Sequence, residues 1–231
     1  SYYRQVLWFS LKQAGISALL SVLLAWPVAR AIYYLPRVYG RQAFLSLCIL
    51  CFVMPTLILI TGLVALLGRS GLLTPWLGEG WNLYGLTGIL LAHIYLNMPF
   101  AIRGLVQQLN NIPDTSWKLA AQLKFSPFQR LTLIEWPALR GSALMLFGFI
   151  FVLCFNSFAV VLALGGGPKA TTLEVAIYQA LKYDFNIPEA LTLAWSQFLI
   201  AGSLFLALTL SGSVGWLSAD TDSRHWLPTL Q

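Results

Sequence analysis

Two long apolar runs in this sequence contain no charged side chain. Residues 43–67 and 141–164 lack Asp, Glu, Lys and Arg. A helix crosses the hydrocarbon core of a bilayer with about 20 consecutive apolar residues, and both runs reach that length. Only 10% of the chain is charged, whereas soluble domains carry about a quarter. The sequence therefore predicts an all-α, polytopic membrane protein with room for five or six spans.

We predict five membrane-spanning helices, at residues 6–35, 43–67, 83–105, 141–164 and 190–217. The second is expected to kink at Pro55, because proline removes a backbone donor from a helix. The fourth has Asn156 and Ser157 in its middle. A polar segment, residues 113–140, separates the third span from the fourth.

The distribution of Lys and Arg predicts how these spans are oriented. One side of the membrane receives nine basic residues, which are Arg30, Arg37, Arg41, Arg103, Lys118, Lys124, Arg130, Arg140 and Arg224. The other side receives five, which are Arg4, Lys12, Arg69, Lys169 and Lys182. Because cytoplasmic loops carry the excess of Lys and Arg, residues 113–140 are predicted to be cytoplasmic and the first residue extracytoplasmic. We therefore expect a further span upstream, in a longer protein. The net charge of +6 is assigned to these loops and not to nucleic-acid binding.

The first half of the polar segment has the pattern of a short helix. Trp117, Ala120, Ala121 and Lys124 recur at the spacing of one helical face. The two alanines make this face shallow, so another surface can approach it closely. We expect the helix to begin after Pro113 and to end in a bend at Lys124.

The second half has the pattern of another short helix. Ser126 followed by Pro127 is typical of an N-cap and a first helical residue. This helix is expected to run toward Ile134 and to end before Pro137. The segment is thus predicted to be a helix–bend–helix outside the bilayer.

This segment resembles the EAA loop of ABC-importer permeases, the membrane subunits that bind a cytoplasmic ATPase. In register with that motif, Lys118 stands at the family's glutamate, Ala120 at its second alanine and Lys124 at its glycine. Ile134 and Pro137 stand at the first and last positions of the following I-x-L-P. The approach to the loop, residues 99–113, is also similar to the family. Lys118 reverses the usual charge, and a lysine at a glycine position is strained if that position needs a positive φ.

The resemblance implies a type I ABC-importer permease-like fold, with residues 1–231 as a single permease domain and one half of a longer fused or paired permease. It implies four partners: a cytoplasmic ABC ATPase dimer, a periplasmic substrate-binding protein, a second permease half and the lipid of a bacterial inner membrane. The ATPase would hydrolyse ATP, so this chain would be no enzyme and would hold no cofactor. The implied ATPase-coupling residues are Trp117, Lys118, Ala120, Ala121, Lys124, Ile134 and Pro137. We expect Trp117, Ala120 and Ala121 to form the contact face and both lysines to pair with acids of the ATPase.

Two further passages, residues 88–113 and 162–185, are similar to the branch of this family that carries thiamine and its phosphates. The resemblance covers most of the chain and implies that substrate class. Iron(III), a polyamine or an oxyanion, which related permeases carry, are the alternatives. An aromatic content of 14% suits a cationic aromatic ligand, but aromatic belts at the membrane interfaces explain it equally.

Among the polar residues inside the predicted spans, the candidates for a functional role are His93, Asn97, Asn156 and Gln197. Such side chains either form hydrogen bonds between helices or line a substrate path, and the sequence leaves both open. His93 is also the only titratable side chain well inside a span, as a secondary transporter would need. An intramembrane enzyme would require a nucleophile, Ser46 or Ser157, beside His93.

The remaining motifs predict structure and not chemistry. Cys48 and Cys51 form a C-x-x-C inside an uncharged apolar run, where a metal or redox site would lack polar support, so no metal site is expected. Residues 165–172 are rich in glycine but lack the order of a phosphate-binding loop, and they are expected to turn the chain. Leu173, Ala176, Ile177 and Ala180 share one face of an amphipathic helix at the outer interface. This helix is expected either to pack at the interface or to act as a gate.

Overall fold

The structure is a computed structural model and describes residues 1–211. Within these residues all regular secondary structure is helical. The α-helices are α1 (Tyr2–Tyr34), α2 (Arg41–Val53), α3 (Thr56–Leu67), α4 (Leu86–Asn110), α5 (Asp114–Gln122), α6 (Pro127–Arg130), α7 (Trp136–Phe155), α8 (Ala159–Leu164), α9 (Leu173–Lys182) and α10 (Ile187–Ser211). A π turn, Leu131–Glu135, joins α6 to α7.

Among residues 1–211, four helical segments are long and apolar enough to cross a membrane: Tyr2–Tyr34, Leu86–Asn110, Pro127–Phe155 and Ile187–Leu210. The bent pair α2 and α3 adds a fifth if it is counted as one span. Helix α1 lies at the centre and packs against α4 and α7 over most of its length. The prediction of an all-α membrane fold with about five spans is confirmed. The last predicted span runs on to residue 217, and its residues 212–217, like Arg224, lie outside the described part of the chain.

The second predicted span is broken and not merely kinked. Helices α2 and α3 meet at an angle of 100°. Met54 and Pro55 between them are both extended, with ψ of 132° and 126°. Proline disfavours the helical conformation for the residue before it as well as removing its own N–H. Two consecutive extended residues therefore turn the chain where one kinked helix was expected.

The second short helix of the polar segment does not end before Pro137, and that prediction is wrong. The helical path is continuous from Pro127 to Phe155. In the π turn the hydrogen bonds run from residue i to residue i+5, and the N–H of Trp136 donates to the carbonyl of Leu131. This wider turn, with Pro137 in the first turn of α7, accommodates a residue without an N–H. The second half of the polar segment is therefore continuous with the fourth span.

The fourth predicted span ends earlier than expected. Helix α7 stops at Phe155, and α8 begins at Ala159. The carbonyl of Val152 accepts both the backbone N–H of Asn156 at 3.1 Å and its side-chain amide at 3.0 Å, a local side-chain bond of the kind found at helix ends. Asn156 and Ser157 thus mark a break at membrane depth and not the middle of a helix. Helix α9, by contrast, confirms the predicted amphipathic helix, with Leu173, Ala176 and Ala180 buried.

Candidate coupling element and polar path

Helix α5 is anchored to the end of α1 by aromatic packing. The Trp117 ring lies 5.9 Å from Tyr33 and 6.1 Å from Tyr34, centroid to centroid. Trp117 is 2% exposed and Ala120 1% exposed. The face predicted to contact the ATPase is therefore wrong for these two residues, because they pack inside this chain.

The opposite face of α5 is open. Lys118, Ala121 and Lys124 are exposed, and Leu119 is 55% exposed. From the sequence alone, a tryptophan on one face of a short helix could pack against a partner protein or against the chain's own core. The sequence feature that indicated packing inside the chain was the pair Tyr33 and Tyr34 at the end of the first span.

The bend after α5 has the geometry that the resemblance implied. Lys124 has a φ of 54°, in the left-handed region where a side chain is strained. The N–H of Phe125 donates to the carbonyl of Ala120 at 2.9 Å, and that of Lys124 donates to the carbonyl of Ala121 at 3.1 Å. This pair of bonds is a Schellman motif, in which glycine is the usual residue at the position of Lys124. The lysine at the family's glycine position therefore occupies a strained turn.

Helix α6 begins with the predicted cap. Ser126 Oγ accepts from the N–H of Gln129 at 3.3 Å, and Gln129 Oε1 accepts from the N–H of Ser126 at 2.8 Å. This reciprocal capping box fixes the direction in which the chain leaves the bend. The prediction named Ser126 and Pro127 but missed Gln129, which stands three residues later as such a box requires.

A buried ion pair ties the base of the coupling element to α1. Glu135, in the π turn, is fully buried. Arg30 Nε donates to its Oε2 at 2.6 Å and Arg30 Nη2 to its Oε1 at 3.2 Å, and the Tyr34 hydroxyl donates to Oε1 as well. This pair was missed, although Glu135 is the only acidic residue between Asp114 and Glu174. Of the other two predicted residues, Ile134 packs partly buried against the core and Pro137 is exposed.

His93 and Asn97 hold helices together inside the bundle. His93 is 2% exposed. Its Nδ1 lies 3.1 Å from Ser17 Oγ of α1, and its Nε2 lies 2.9 Å from Ser157 Oγ. Asn97 donates to the carbonyl of His93 at 2.8 Å and contacts Cys154 Sγ at 3.4 Å. Both are buried within this chain, so we no longer assign them to a substrate path.

The His93–Ser157 contact is the one arrangement that resembles a catalytic pair. A working triad orients the histidine through a carboxylate on its other nitrogen. Here that nitrogen faces the hydroxyl of Ser17, and His93 has no carboxylate partner among residues 1–211. Ser46, the other candidate nucleophile, lies on the exposed side of α2. The geometry therefore favours helix packing over hydrolysis.

The other two polar residues form a second group with an acid that the sequence did not single out. Gln197 Nε2 donates to Asn156 Oδ1 at 2.7 Å and to Glu174 Oε1 at 2.6 Å. This group joins the break after α7 to α9 and α10. Asn156 is exposed and Glu174 is partly exposed, so the group borders the open surface of the chain.

The remaining motifs behave as structural features. Cys48 and Cys51 are free thiols on α2, and no cluster of metal-binding side chains occurs in the described part of the chain. Gly166 and Gly167 have φ of 75° and 134° and turn the chain after α8, as expected.

Membrane-length apolar helices, a few buried polar side chains between them and a helix–bend–helix at one end are the features of a multi-pass membrane protein. Residues 18–220 match the family described as "Binding-protein-dependent transport system inner membrane component", and the chain belongs to that family. Its members are transport components, which sets aside the intramembrane enzyme and the secondary transporter.

Comparison with individual proteins agrees with this family. The chain is 43% identical over 236 residues to the thiamine transport system permease protein ThiP of Brucella abortus (strain 2308), covering 99% of this chain and 44% of that protein. It is 44% identical over 239 residues to ThiP of Escherichia coli (strain K12), covering 97% and 44%. The chain thus spans less than half the length of the curated relatives that it matches.

Solved structures show the same fold at low sequence identity. A chain of a bacterial alginate ABC transporter, in complex with a periplasmic protein bound to an alginate pentasaccharide, superposes with a TM-score of 0.71 at 16% identity, covering 90% of this chain and 77% of that one. A chain of the inward-facing MetNI methionine ABC transporter gives 0.65 at 16% identity, covering 91% and 96%.

Proposed function

We propose that this chain is one half of the permease of an ATP-driven importer of thiamine and its phosphates, in a bacterial inner membrane. The observation that carries the substrate class is the 43–44% identity, over nearly the whole chain, to proteins named as thiamine transport permeases. The greater length of those relatives leaves room for a second half of similar size. The two halves would enclose one path.

Residues 113–140 are the coupling loop in this proposal. The Trp117 side of α5 is locked to α1, and Glu135 locks the start of α7 to the same helix. A push on the open face of α5 therefore moves two spans as one body, which suits rigid switching between inward-open and outward-open states. An ATPase dimer would bind this face through Lys118, Leu119 and Ala121, with Lys118 and Lys124 paired to acids. The proposed ATPase contact is therefore this open face of α5, and not the face with Trp117 and Ala120 that the sequence suggested.

Asn156 and Gln197 line the substrate path in this proposal. Polar side chains at membrane depth avoid lipid and face a bundle interior or a wet cavity. Non-helical backbone at that depth, such as the break after α7, is likewise tolerated only in protein or beside water. The exposed side of this group is therefore where the second half and the path belong. The periplasmic binding protein would bind the outer surface of the connection formed by residues 165–189, whose Glu174 side chain points inward to Gln197.

Transport by the purified system tests the proposal. The full-length permease would be reconstituted into vesicles with its ATPase and its binding protein, and uptake of labelled thiamine would be followed with ATP and with a non-hydrolysable analogue. We expect uptake that requires hydrolysis and that iron(III), a polyamine or an oxyanion in excess does not inhibit. Hydrolysis-dependent uptake of one of those competitors, with none of thiamine, would overturn the proposed substrate.

A further inference from the structure

Glu174 is an acid without a basic partner in the described part of the chain. One carboxylate oxygen accepts from Gln197 at 2.6 Å. The only ion pair within residues 1–211 joins Arg30 to Glu135, far along the chain from α9. A half-buried carboxylate is costly to desolvate unless a positive charge or further donors offset it. Glu174 receives one side-chain amide and the partial positive charge of the N-terminus of α9, where it stands in the first turn, but no basic side chain.

The depth of this group argues that its open side meets water and a solute. Gln197 lies ten residues after Ile187 on α10, which places it about 15 Å below the outer end of that helix. The hydrocarbon core is about 30 Å thick, so Gln197 is close to the middle of the membrane. Asn156 is exposed at the same level. A carboxylate without a basic side-chain partner and an exposed amide at this depth fit a wet path and not lipid.

Aromatic rings lie one helical turn from Glu174 along α9. Tyr178 follows Glu174 by one turn of α9, on the same face. Its ring contacts Phe158 at 5.1 Å and Tyr183 at 6.0 Å between centroids. Lys182 Nζ lies 5.3 Å from the centre of the Tyr178 ring, so the ring is placed for cation–π contact, and a ligand cation would displace this lysine. Carboxylates and aromatic faces together are the groups that recognise organic cations.

We propose that Glu174 is a binding residue for an organic cation that carries an aromatic ring, at a site in the translocation path. Gln197 positions the carboxylate by bonding to it and to Asn156, and Tyr178 supplies the ring face. This inference rests on the proposed function and deepens it, because it says how the path selects the charge of its solute.

Two probes that share their rings but differ in net charge test this site. Thiamine is a cation, because its thiazolium nitrogen is quaternary, whereas thiamine diphosphate is a net anion at neutral pH. Initial uptake of each would be measured in vesicles with the full-length permease, its ATPase and its binding protein. Glu174→Gln keeps the size and the hydrogen-bonding capacity of the side chain and removes its charge. We expect about tenfold lower uptake of thiamine, since a factor of ten corresponds to one modest interaction, and uptake of the diphosphate unchanged within about twofold.

Glu189→Gln is the matched control. Glu189 also stands in the first turn of a helix and accepts one side-chain amide bond, from Asn186 at 3.0 Å. Its substitution is expected to leave the ratio of the two uptake rates unchanged. If Glu174→Gln lowers both rates equally, Glu174 is a structural residue and the cation site is wrong. If wild-type vesicles hydrolyse ATP but carry neither probe, the proposed function fails and the site fails with it.

A second pair of variants covers the case in which Glu174→Gln does not fold. Tyr178→Leu removes the ring face, and Tyr178→Phe retains it. We expect Tyr178→Leu to lower thiamine uptake several-fold and Tyr178→Phe to preserve it. Equal loss in both variants would contradict a role for the ring in binding a cation.

Discussion

Replacing Arg30 by methionine removes the guanidinium that pairs with the buried carboxylate of Glu135. Two donors from Arg30 are lost, and only the Tyr34 hydroxyl remains. Breaking a buried ion pair from one side costs about 3–5 kcal/mol, because an uncompensated charge is left behind. The loss of unfolding free energy in Arg30→Met should lie in the upper part of that range, because Glu135 is fully buried.

Replacing Glu135 by glutamine should destabilise the protein less than replacing Arg30. The Arg30 side chain is 32% exposed and can turn its charge toward water when its partner is lost. Glu135→Gln also retains a carbonyl that accepts a hydrogen bond, so we expect a cost of about 1–2 kcal/mol. The double variant should cost far less than the two single variants together, because neither charge is then left buried alone.

Thermal unfolding of the full-length permease in detergent measures these differences. About 1 kcal/mol shifts the midpoint by roughly 2–4 °C for 150–250 residues and by less for a longer protein. Arg30→Met should therefore lower the midpoint of the full-length permease by about 4–10 °C. Arg37→Met is the matched control, because Arg37 is exposed near the same end of α1 and should shift the midpoint by about 1–2 °C at most. Equal shifts for Arg30→Met and Arg37→Met, or strictly additive shifts in the double variant, would refute the role given to this ion pair.

Three smaller changes test the coupling element itself. Lys124→Gly should raise the unfolding midpoint by roughly 1–3 °C. Glycine removes the left-handed strain of about 1–2 kcal/mol, but it also loses more chain entropy on folding, which offsets part of that gain. A lower midpoint would contradict the Schellman geometry. Ser126→Ala should weaken the start of α6 by about 1 kcal/mol, seen as faster amide exchange at Gln129, with Ser126→Asp restoring protection. Trp117→Ala should cost about 3–5 kcal/mol and expose residues 111–130 to protease, whereas Trp117→Phe should do neither.

The long helices could be predicted from the sequence because lipid leaves so few alternatives. Uncharged runs of sufficient length must be helical, since every backbone group has to be bonded within the segment. Breaks within those runs were harder to predict from the sequence. Pro55 marked a break but not its angle of 100°, and the polar side chain of Asn156 looked like an isolated feature of one helix until the structure showed that α7 ends there.

The candidate site was predictable only where its bonds are local. The bend at Lys124 and the cap at Ser126 depend on neighbours within a few residues, and both were expected. The pairing of Arg30 with Glu135 joins residues 105 positions apart, and no local pattern specifies it. Whether Trp117 faces inward or outward depends on which surface lies beside α5, which the helical period alone does not define.

Cysteine crosslinking from the open face of α5 tests most directly the claim that this face binds the ATPase. Ala121→Cys would be placed in the full-length permease, with the native cysteines replaced, and oxidised in membranes that contain the ATPase bearing surface cysteines. Ala120→Cys is the buried control one position away. The account predicts a crosslink from position 121 that changes with ATP, and none from position 120. Free labelling of position 121 by a cytoplasmic thiol reagent without any crosslink, or a crosslink only from position 120, would contradict it.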